Sequence, residues 1–266
     1  QWCQEHNAEA NYEPLKEERG LLYHVTLQQW GVVLNPLTAE WLVPGYGTGG
    51  KLDQLYRYTR LYDPKKQHWY RVLLPTPGVW DEGHAHGLFG VQTELEGATN
   101  DHRTVLVGEG PWDGMALWES LRLFRRLEPG VEKGTLPVGE LTRTGNANAS
   151  LHNEFRVIAT PGCNVWRDGW SVPLANHRVT LCYDNDHPKA VVIDHTKNGH
   201  AEPSSNGTPK TREGAAILGT RKVVGHLRAA DPGPSEVLYL RWGPEGVDTE
   251  LPDGHDVRDH LNGSVH

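Results

Sequence analysis

The sequence predicts an α/β protein: a central, mostly parallel four-stranded sheet flanked by helices, preceded by a smaller mixed α+β amino-terminal subdomain. Three observations predict it. Short β-rich runs at Thr104–Val107, Arg156–Thr160, Arg178–Cys182 and Glu236–Leu240 alternate with longer segments that include helical patterns, the mark of βαβ units and a parallel sheet. Residues 1–100 instead mix short helical stretches with β-like runs cut by Gly and Pro turns. Three of the later runs end in carboxylates, at Glu109, at Asp184-Asn185-Asp186 and in the segment holding Asp256 and Asp259. The expected division is 1–100 for the first unit and 101–266 for the second.

Taken in order, Tyr12–Arg19 predicts a short helix closed by Gly20, and Val25–Trp30 another closed by Gly31. Glu40–Val43, Leu52–Arg60 and Trp69–Leu74 read as strands. The glycine-rich stretch from Gly45 to Lys51 nearly matches a phosphate-cradling P-loop. It fails because the next residue, Leu52, offers no hydroxyl to a metal, so a glycine-rich hairpin is expected. Arg57–Arg71 is the most basic and aromatic part of the chain. Arg and Lys can neutralise phosphates and Tyr or Trp can stack on bases, although a solvated hairpin with Lys65 and Lys66 at an Asp-Pro turn explains the same residues.

In the second unit, Thr104–Val107 stops at Gly108-Glu109-Gly110, and from Asp113 the spacing of Leu117, Leu121 and Phe124 turns helical. A strand that releases a helix in this way sets Glu109 at the carboxyl edge of a sheet, where open α/β sheets bind ligands. Asp113, about one helical turn on, can point to the same space. Thr142–Asn153 reads as a polar loop, Pro161-Gly162 as a tight turn, and His187–Glu213 as a polar surface excursion before Gly214-Ala215-Ala216 opens a helix.

Carboxylates gathered on one rim repel unless cations sit between them. Hard oxygen donors favour Mg²⁺ or Mn²⁺ over Zn²⁺, and such ions suit phosphoryl transfer. Taken singly, each acid has a plainer explanation: Asp113 as a helix cap, Asp253-Gly254 as a turn, Asp259 as a cap. The joint pattern of three strand ends in one chain order favours a shared site at Glu109, Asp113, Asp184, Asp186 and Asp256.

This pattern, with Glu109 in Gly-Glu-Gly-Pro-Trp-Asp113, then Asp184-Asn-Asp186, then Asp256/Asp259, resembles the Toprim domain of topoisomerases and primases. Glu18-Arg19-Gly20-Leu21 with Thr26–Val32 is similar to the opening of the amino-terminal subdomain of bacterial and phage primases of the DnaG type. Leu74-Pro75 through His86–Gly90 resembles the stretch joining that subdomain to Toprim, and residues 251–261 resemble a Toprim ending. The resemblance covers most of the chain. It departs from the family where Asp186 is followed by the long polar insert rather than closely by glycine and a helix.

The resemblance implies a DNA-templated primase, a nucleotidyltransferase that makes RNA primers in the replication of a phage, plasmid or bacterium. It implies Mg²⁺ or Mn²⁺ bound by Glu109, Asp113, Asp184, Asp186 and Asp256, with Glu109, Asp184 and Asp186 catalytic and Glu109 open to a ligand or a general-base role. Template or nucleotide would be held by Arg57 and Arg71, and less directly by Arg60 and Lys66. The implied partners are single-stranded DNA, ribonucleoside triphosphates, a replicative helicase in trans or in the same polypeptide, and a zinc-binding module absent from this chain. The alternatives are a Toprim metal-dependent nuclease or topoisomerase-like strand cleavage, and a non-catalytic nucleic-acid-binding module. A topoisomerase needs a separate large domain bearing its tyrosine, for which this chain has no room.

Composition bounds the rest. The 266 residues can bury a sizeable core, and no run approaches the ~18 apolar residues of a membrane span. The three cysteines, Cys3, Cys163 and Cys182, are odd in number and form no C-x-x-C pair, which fits a reducing cytoplasm, bacterial or phage-infected, and encodes no zinc ribbon. Cys3 with His6 reads as a surface pair rather than half of a zinc site. Gln1 at the start and a single Met suggest a fragment. The net charge of −8 is unusual for a phosphate binder and requires local basic patches or a further template-binding module.

Overall fold

The structure, a computed structural model, describes residues 12–21, 24–48, 50–76, 87–90, 103–123, 155–187, 189–191, 210–212, 214–241, 250–251 and 256. Cys3 and His6, the 142–153 loop, Asp253 and Asp259 lie outside them. The elements are α1 (Glu13–Arg19), α2 (His24–Gln29), β1 (Val33–Asn35), β2 (Glu40–Tyr46), β3 (Leu52–Asp63), β4 (His68–Pro75), β5 (Thr104–Gly108), α3 (Pro111–Leu123), β6 (Phe155–Ala159), a 3-10 helix (Asp168–Leu174), β7 (Arg178–Cys182), β8 (Lys189–Val191), β9 (Lys210–Arg212), α4 (Ala215–Ala229) and β10 (Glu236–Tyr239).

The parallel sheet runs β10-β7-β5-β6, and each neighbouring pair in it is parallel, as expected from the alternation of strand and helix. Its strands alternate between two cores. Val105, Val107, Ile158, Val179 and Leu181 join a cluster with Leu174, Val223 and Leu227 on the α4 side. Val157, Ala159 and Cys182 join the opposite cluster with Trp112, Met115 and Trp118 of α3. β5, β6 and β7 are covered on both faces and read as apolar runs rather than as alternating ones, whereas the edge strand β10 leaves Leu238 and Tyr239 exposed.

α3 is apolar nearly all round because it lies between two layers. On one side it meets the parallel sheet; on the other, its cluster contains Leu15, Leu27, Trp30, Trp41, Val43, Tyr56 and Tyr58 from before position 100. Thr26 Oγ1 donates to the buried Glu119 carboxylate at 2.6 Å, tying α2 to α3. A methyl at Gly114 would fall 2.8 Å from the Ala159 side chain and 2.6 Å from Trp30, so only glycine lets α3 approach this closely. The helix begins at Pro111, earlier than the expected Asp113, because proline has no N–H to lose in a first turn.

The amino-terminal sheet is antiparallel in the order β1-β2-β3-β4. The glycine-rich stretch forms the expected hairpin: Gly47 N–H donates to Lys51 O at 2.9 Å and Gly50 N–H to Gly47 O at 3.1 Å, and β2 pairs with β3 on either side. β1, the 3-10 helix and the β8–β9 ribbon were not expected. The ribbon pairs Lys189–Val191 with Lys210–Arg212, so both ends of the polar insert are held in backbone hydrogen bonds. Among the described residues no helix is long and apolar enough to cross a membrane.

Candidate active site

The register of the parallel sheet builds the site. Gly108 lies opposite both Ala159 and Cys182, so Glu109, Thr160 and Tyr183-Asp184 leave the sheet at one level and on one edge. Asp184 N–H then donates to Glu109 Oε2 at 3.3 Å, joining two acids 75 residues apart. Thr160, at the centre of this edge, sets its hydroxyl 3.0 Å from Glu109 O, 3.2 Å from Gly162 O and 3.4 Å from the Tyr183 hydroxyl. The thiol and the backbone amide of Cys163 lie beside the Glu109 carboxylate and favour its charged form.

The other three acids arrive from separate elements. Asp113 is buried in the first turn of α3, where its Oδ2 accepts the Gly110 N–H at 3.1 Å. This back-bond from the third helical residue holds the Gly108–Gly110 bend in place. Asp186 Oδ2 accepts Ala216 N–H at 2.8 Å, supplying from the β7 loop the cap that Gly214 cannot give α4. A Cβ at position 214 would sit 2.2 Å from Asp186 O, so glycine is what allows the two backbones to cross. Asp256 is buried, and its charge acts on Asp184. The structure thus brings Glu109, Asp113, Asp184, Asp186 and Asp256 together, despite the insert that follows Asp186.

The electrostatics are those of crowded acids. Burial pushes the Asp184 carboxyl up to about 9, reinforced by the charges of Glu109, Asp113, Asp256 and Asp186. Burial also raises Glu109, against hydrogen bonds from Asp184 and Cys163 that lower it. The Cys163 thiol is pushed up to about 12 by burial first and the Glu109 charge second, which keeps it a proton donor to that carboxylate.

Asp184 Oδ1 is buried with no hydrogen-bond partner among the described residues. An orphaned carboxylate oxygen costs stability unless a cation or proton meets it. The donor set, hard oxygens with an unspent lone pair, fits a divalent ion of the Mg²⁺ or Mn²⁺ type. The side chains stand beside one another rather than around a point: among the described residues no three Asp, Glu, His or Cys groups are gathered tightly enough to hold an ion as they stand. Asp186 is the clear case, its carboxylate being turned to Ala216.

The basic residues divide between two faces of the amino-terminal sheet. In the β3–β4 register Arg60 lies opposite Arg71, and Arg57 opposite Leu74. Positions 57 and 60 differ by an odd number, so they point to opposite faces. Arg57 turns to Glu40 at 3.7 Å. Arg71 turns the other way, to Glu18 at 3.1 Å and over the Tyr58 ring at 5.4 Å. The expectation that Arg57 and Arg71 line one groove is therefore corrected: Arg60 and Arg71 share a face, and Arg57 lies behind it. Lys66 sits at the exposed turn, where Asp63 Oδ1 accepts the backbone N–H of Lys65 and Lys66.

The sequence reading missed Thr160 and Cys163 as site residues, along with Arg19. Arg19 lays its guanidinium over the Tyr58 ring at 4.3 Å and the Trp112 ring at 5.1 Å, linking the amino-terminal sheet to the start of α3. For Thr160 a signal was present: it ends the same apolar run on the same edge as Glu109. For Arg19 no local signal exists, since its partners are distant in sequence.

No protein-family model matches the chain, and no curated protein matches it. Solved structures do. The Aquifex aeolicus primase, comprising zinc-binding and RNA polymerase domains, aligns with a TM-score of 0.50 and 12% identity over 94% of this chain and 52% of that one. A DnaG primase catalytic domain bound to single-stranded DNA gives 0.46 and 12% over 97% and 72%. The primase fragment of the bacteriophage T7 primase-helicase gives 0.42 and 13% over 93% and 68%. At these identities the likeness is one of fold: the chain has a DnaG-type primase fold, a Toprim-like parallel sheet behind an antiparallel amino-terminal sheet. It spans about half the length of the Aquifex chain.

Proposed function

We propose that the chain is the catalytic core of a DNA-templated primase, joining ribonucleoside triphosphates into a short RNA strand. The observation that carries the proposal is the alignment of Gly108 with Cys182, which sets Glu109 and Asp184 side by side at the ligand edge of the sheet. The primase fold supports the same reading.

Under this reading Asp184, Glu109, Asp113 and Asp256 would hold Mg²⁺ or Mn²⁺, with Asp186 joining them by releasing Ala216. When bound, such an ion clamps triphosphate oxygens and neutralises the charge that develops on them. The protein's own part is positioning. Thr160 fixes the Glu109 backbone, Cys163 favours the charged form of its carboxylate, and Asp113 fixes the bend that carries Glu109. Glu109, made more basic than an ordinary carboxylate by burial, is suited to accept a proton from an attacking hydroxyl. The single-stranded template would pass the Arg60–Arg71 face.

The test is primer synthesis from ribonucleoside triphosphates on single-stranded DNA with Mn²⁺, comparing wild type with Asp184→Ala. Product from wild type alone supports the proposal; product from both or from neither defeats it. Nicking of supercoiled plasmid without nucleotides would favour the nuclease reading instead.

A further inference from the structure

Leu88 and Phe89 lie outside both four-stranded sheets, yet they join the two. Tyr46 and Leu88 exchange both backbone hydrogen bonds, each at 2.8 Å, and Phe89 and Ala159 do the same at 2.9 and 3.1 Å. Both bridges are antiparallel. Consecutive residues thus bond to opposite neighbours, as they do in the middle strand of a sheet. Their side chains part as well. Leu88 enters the cluster of Val105, Val107 and Leu174, and Phe89 the cluster of Trp30, Tyr56 and Met115.

The bridges also set a level. Phe89 lies opposite Ala159 and Leu88 opposite Tyr46, while Ala159 lies opposite Gly108. One residue along these ladders, Leu88 is level with Thr160 and Glu109. Tyr46 therefore stands level with Glu109, three strand spacings or about 14 Å away along one continuous sheet. The amino-terminal sheet is added to β6 at the ligand edge itself.

The apolar cluster around α3 also holds the two sheets together, but burial has no direction and tolerates sliding. A backbone ladder fixes register residue by residue. Two glycines let this short strap into its slot. Gly87, at φ +80°, would place a Cβ 2.6 Å from Gly45 C and 2.7 Å from Tyr46 N, at the β2 seam. Gly90, at φ +77°, would place one 3.1 Å from Val157 O and 3.0 Å from the Trp30 ring, at the β6 seam. Carbon atoms settle at about 3.5 Å. A methyl at position 87 therefore opens its seam by about 1 Å, and one at position 90 by a few tenths of that.

We infer that the Gly87–Gly90 strap is a positioning element: it splices the two sheets into one and so fixes the amino-terminal sheet against the acidic edge during nucleotide transfer. The inference rests on the polymerase reading, in which the two substrates are held on the two sheets. Transfer between bound substrates is sensitive to such placement, and a displacement of about 1 Å far from the chemistry can cost about a hundredfold in rate.

The test combines steady-state primer synthesis with amide hydrogen exchange on the full chain. Gly87→Ala should lower kcat about a hundredfold and Gly90→Ala about tenfold or less, with KM for nucleotide and affinity for oligothymidylate within about twofold of wild type. Both variants carry the same left-handed strain, so their difference isolates the width of the opened seam. Val223→Ala, in the core beneath α4, should lower stability while leaving kcat within about twofold. In wild type the amides of Tyr46, Leu88, Phe89 and Ala159 should exchange as slowly as those of β5 and β7. Gly87→Ala should speed Tyr46 and Leu88 about tenfold and spare Phe89 and Ala159, and Gly90→Ala should do the reverse. Wild-type strap amides that exchange like a surface loop's, a readout that needs no variant to fold, would overturn the inference. So would wild-type kcat in folded Gly87→Ala, or an equal loss of kcat in Val223→Ala. Protected strap amides in a wild type that makes no primer would defeat the polymerase reading alone, because the splice is read from the exchange.

Discussion

Replacing Asp184 with Asn should make the metal-free protein more stable while abolishing its response to divalent ions. Burial of the Asp184 carboxylate is the first cause of its raised value, and the charges of Glu109, Asp113, Asp256 and Asp186 add to it. Two like charges about 6 Å apart at an effective dielectric of about 20 repel by about 3 kcal/mol. Partial exposure of Asp184 and Glu109 screens this to about 1–2 kcal/mol. For a chain of this size that is a rise in Tm of about 2–8 °C.

The sign follows from linkage. A carboxyl whose folded value is raised from 3.8 to about 9 binds its proton more tightly when folded, so wild type loses stability as pH rises from about 4 toward 9. The neutral amide of Asn does not titrate. The gap between Asp184→Asn and wild type in EDTA should therefore be small at pH 4, widen through neutrality and level off above pH 9. Differential scanning fluorimetry across that range reads it directly. Added Mn²⁺ should raise the wild-type Tm and leave the variant's unchanged. A variant less stable than wild type in EDTA at pH 7.5, or a gap that does not change with pH, would refute the argument that burial and crowding together destabilise the Asp184 carboxylate.

Asp186→Ala should cost about 1 kcal/mol through loss of the Ala216 cap, seen in urea unfolding. Asp186→Asn should keep most of that stability while losing primer synthesis equally. Gly214→Ala places a methyl where Asp186 O lies, so it should destabilise by about 1–3 kcal/mol and lower activity without weakening oligonucleotide binding. Thr160→Val removes a buried hydroxyl that lies between the Glu109 and Gly162 carbonyls. It should cost about 1–2 kcal/mol and reduce kcat more than KM, measured by denaturation and by steady-state primer synthesis.

The strands of the parallel sheet could be located from the sequence because each is a short apolar run ended by turn residues, and β7 falls at Arg178–Cys182 as expected. Where local signals were weak, elements were missed. β1 is three residues long, and the 3-10 helix holds Pro173 within it, so neither offers enough periods to recognise. The acidic residues were legible as strand-end carboxylates, one by one. That Asp186 caps α4 across the insert was not, because nothing in residues 187–213 records how its two ends meet.

The sequence by itself determined which residues could enter a sheet and which acids would stand at strand ends, since apolar runs and their terminating glycines are local properties. Only the tertiary structure decided that Glu109 and Asp184 share one edge, because register is a relation between strands rather than a property of either. It also decided that Arg57 faces away from Arg71: the pleat alternates residue by residue, and which side becomes the inside depends on where α3 packs.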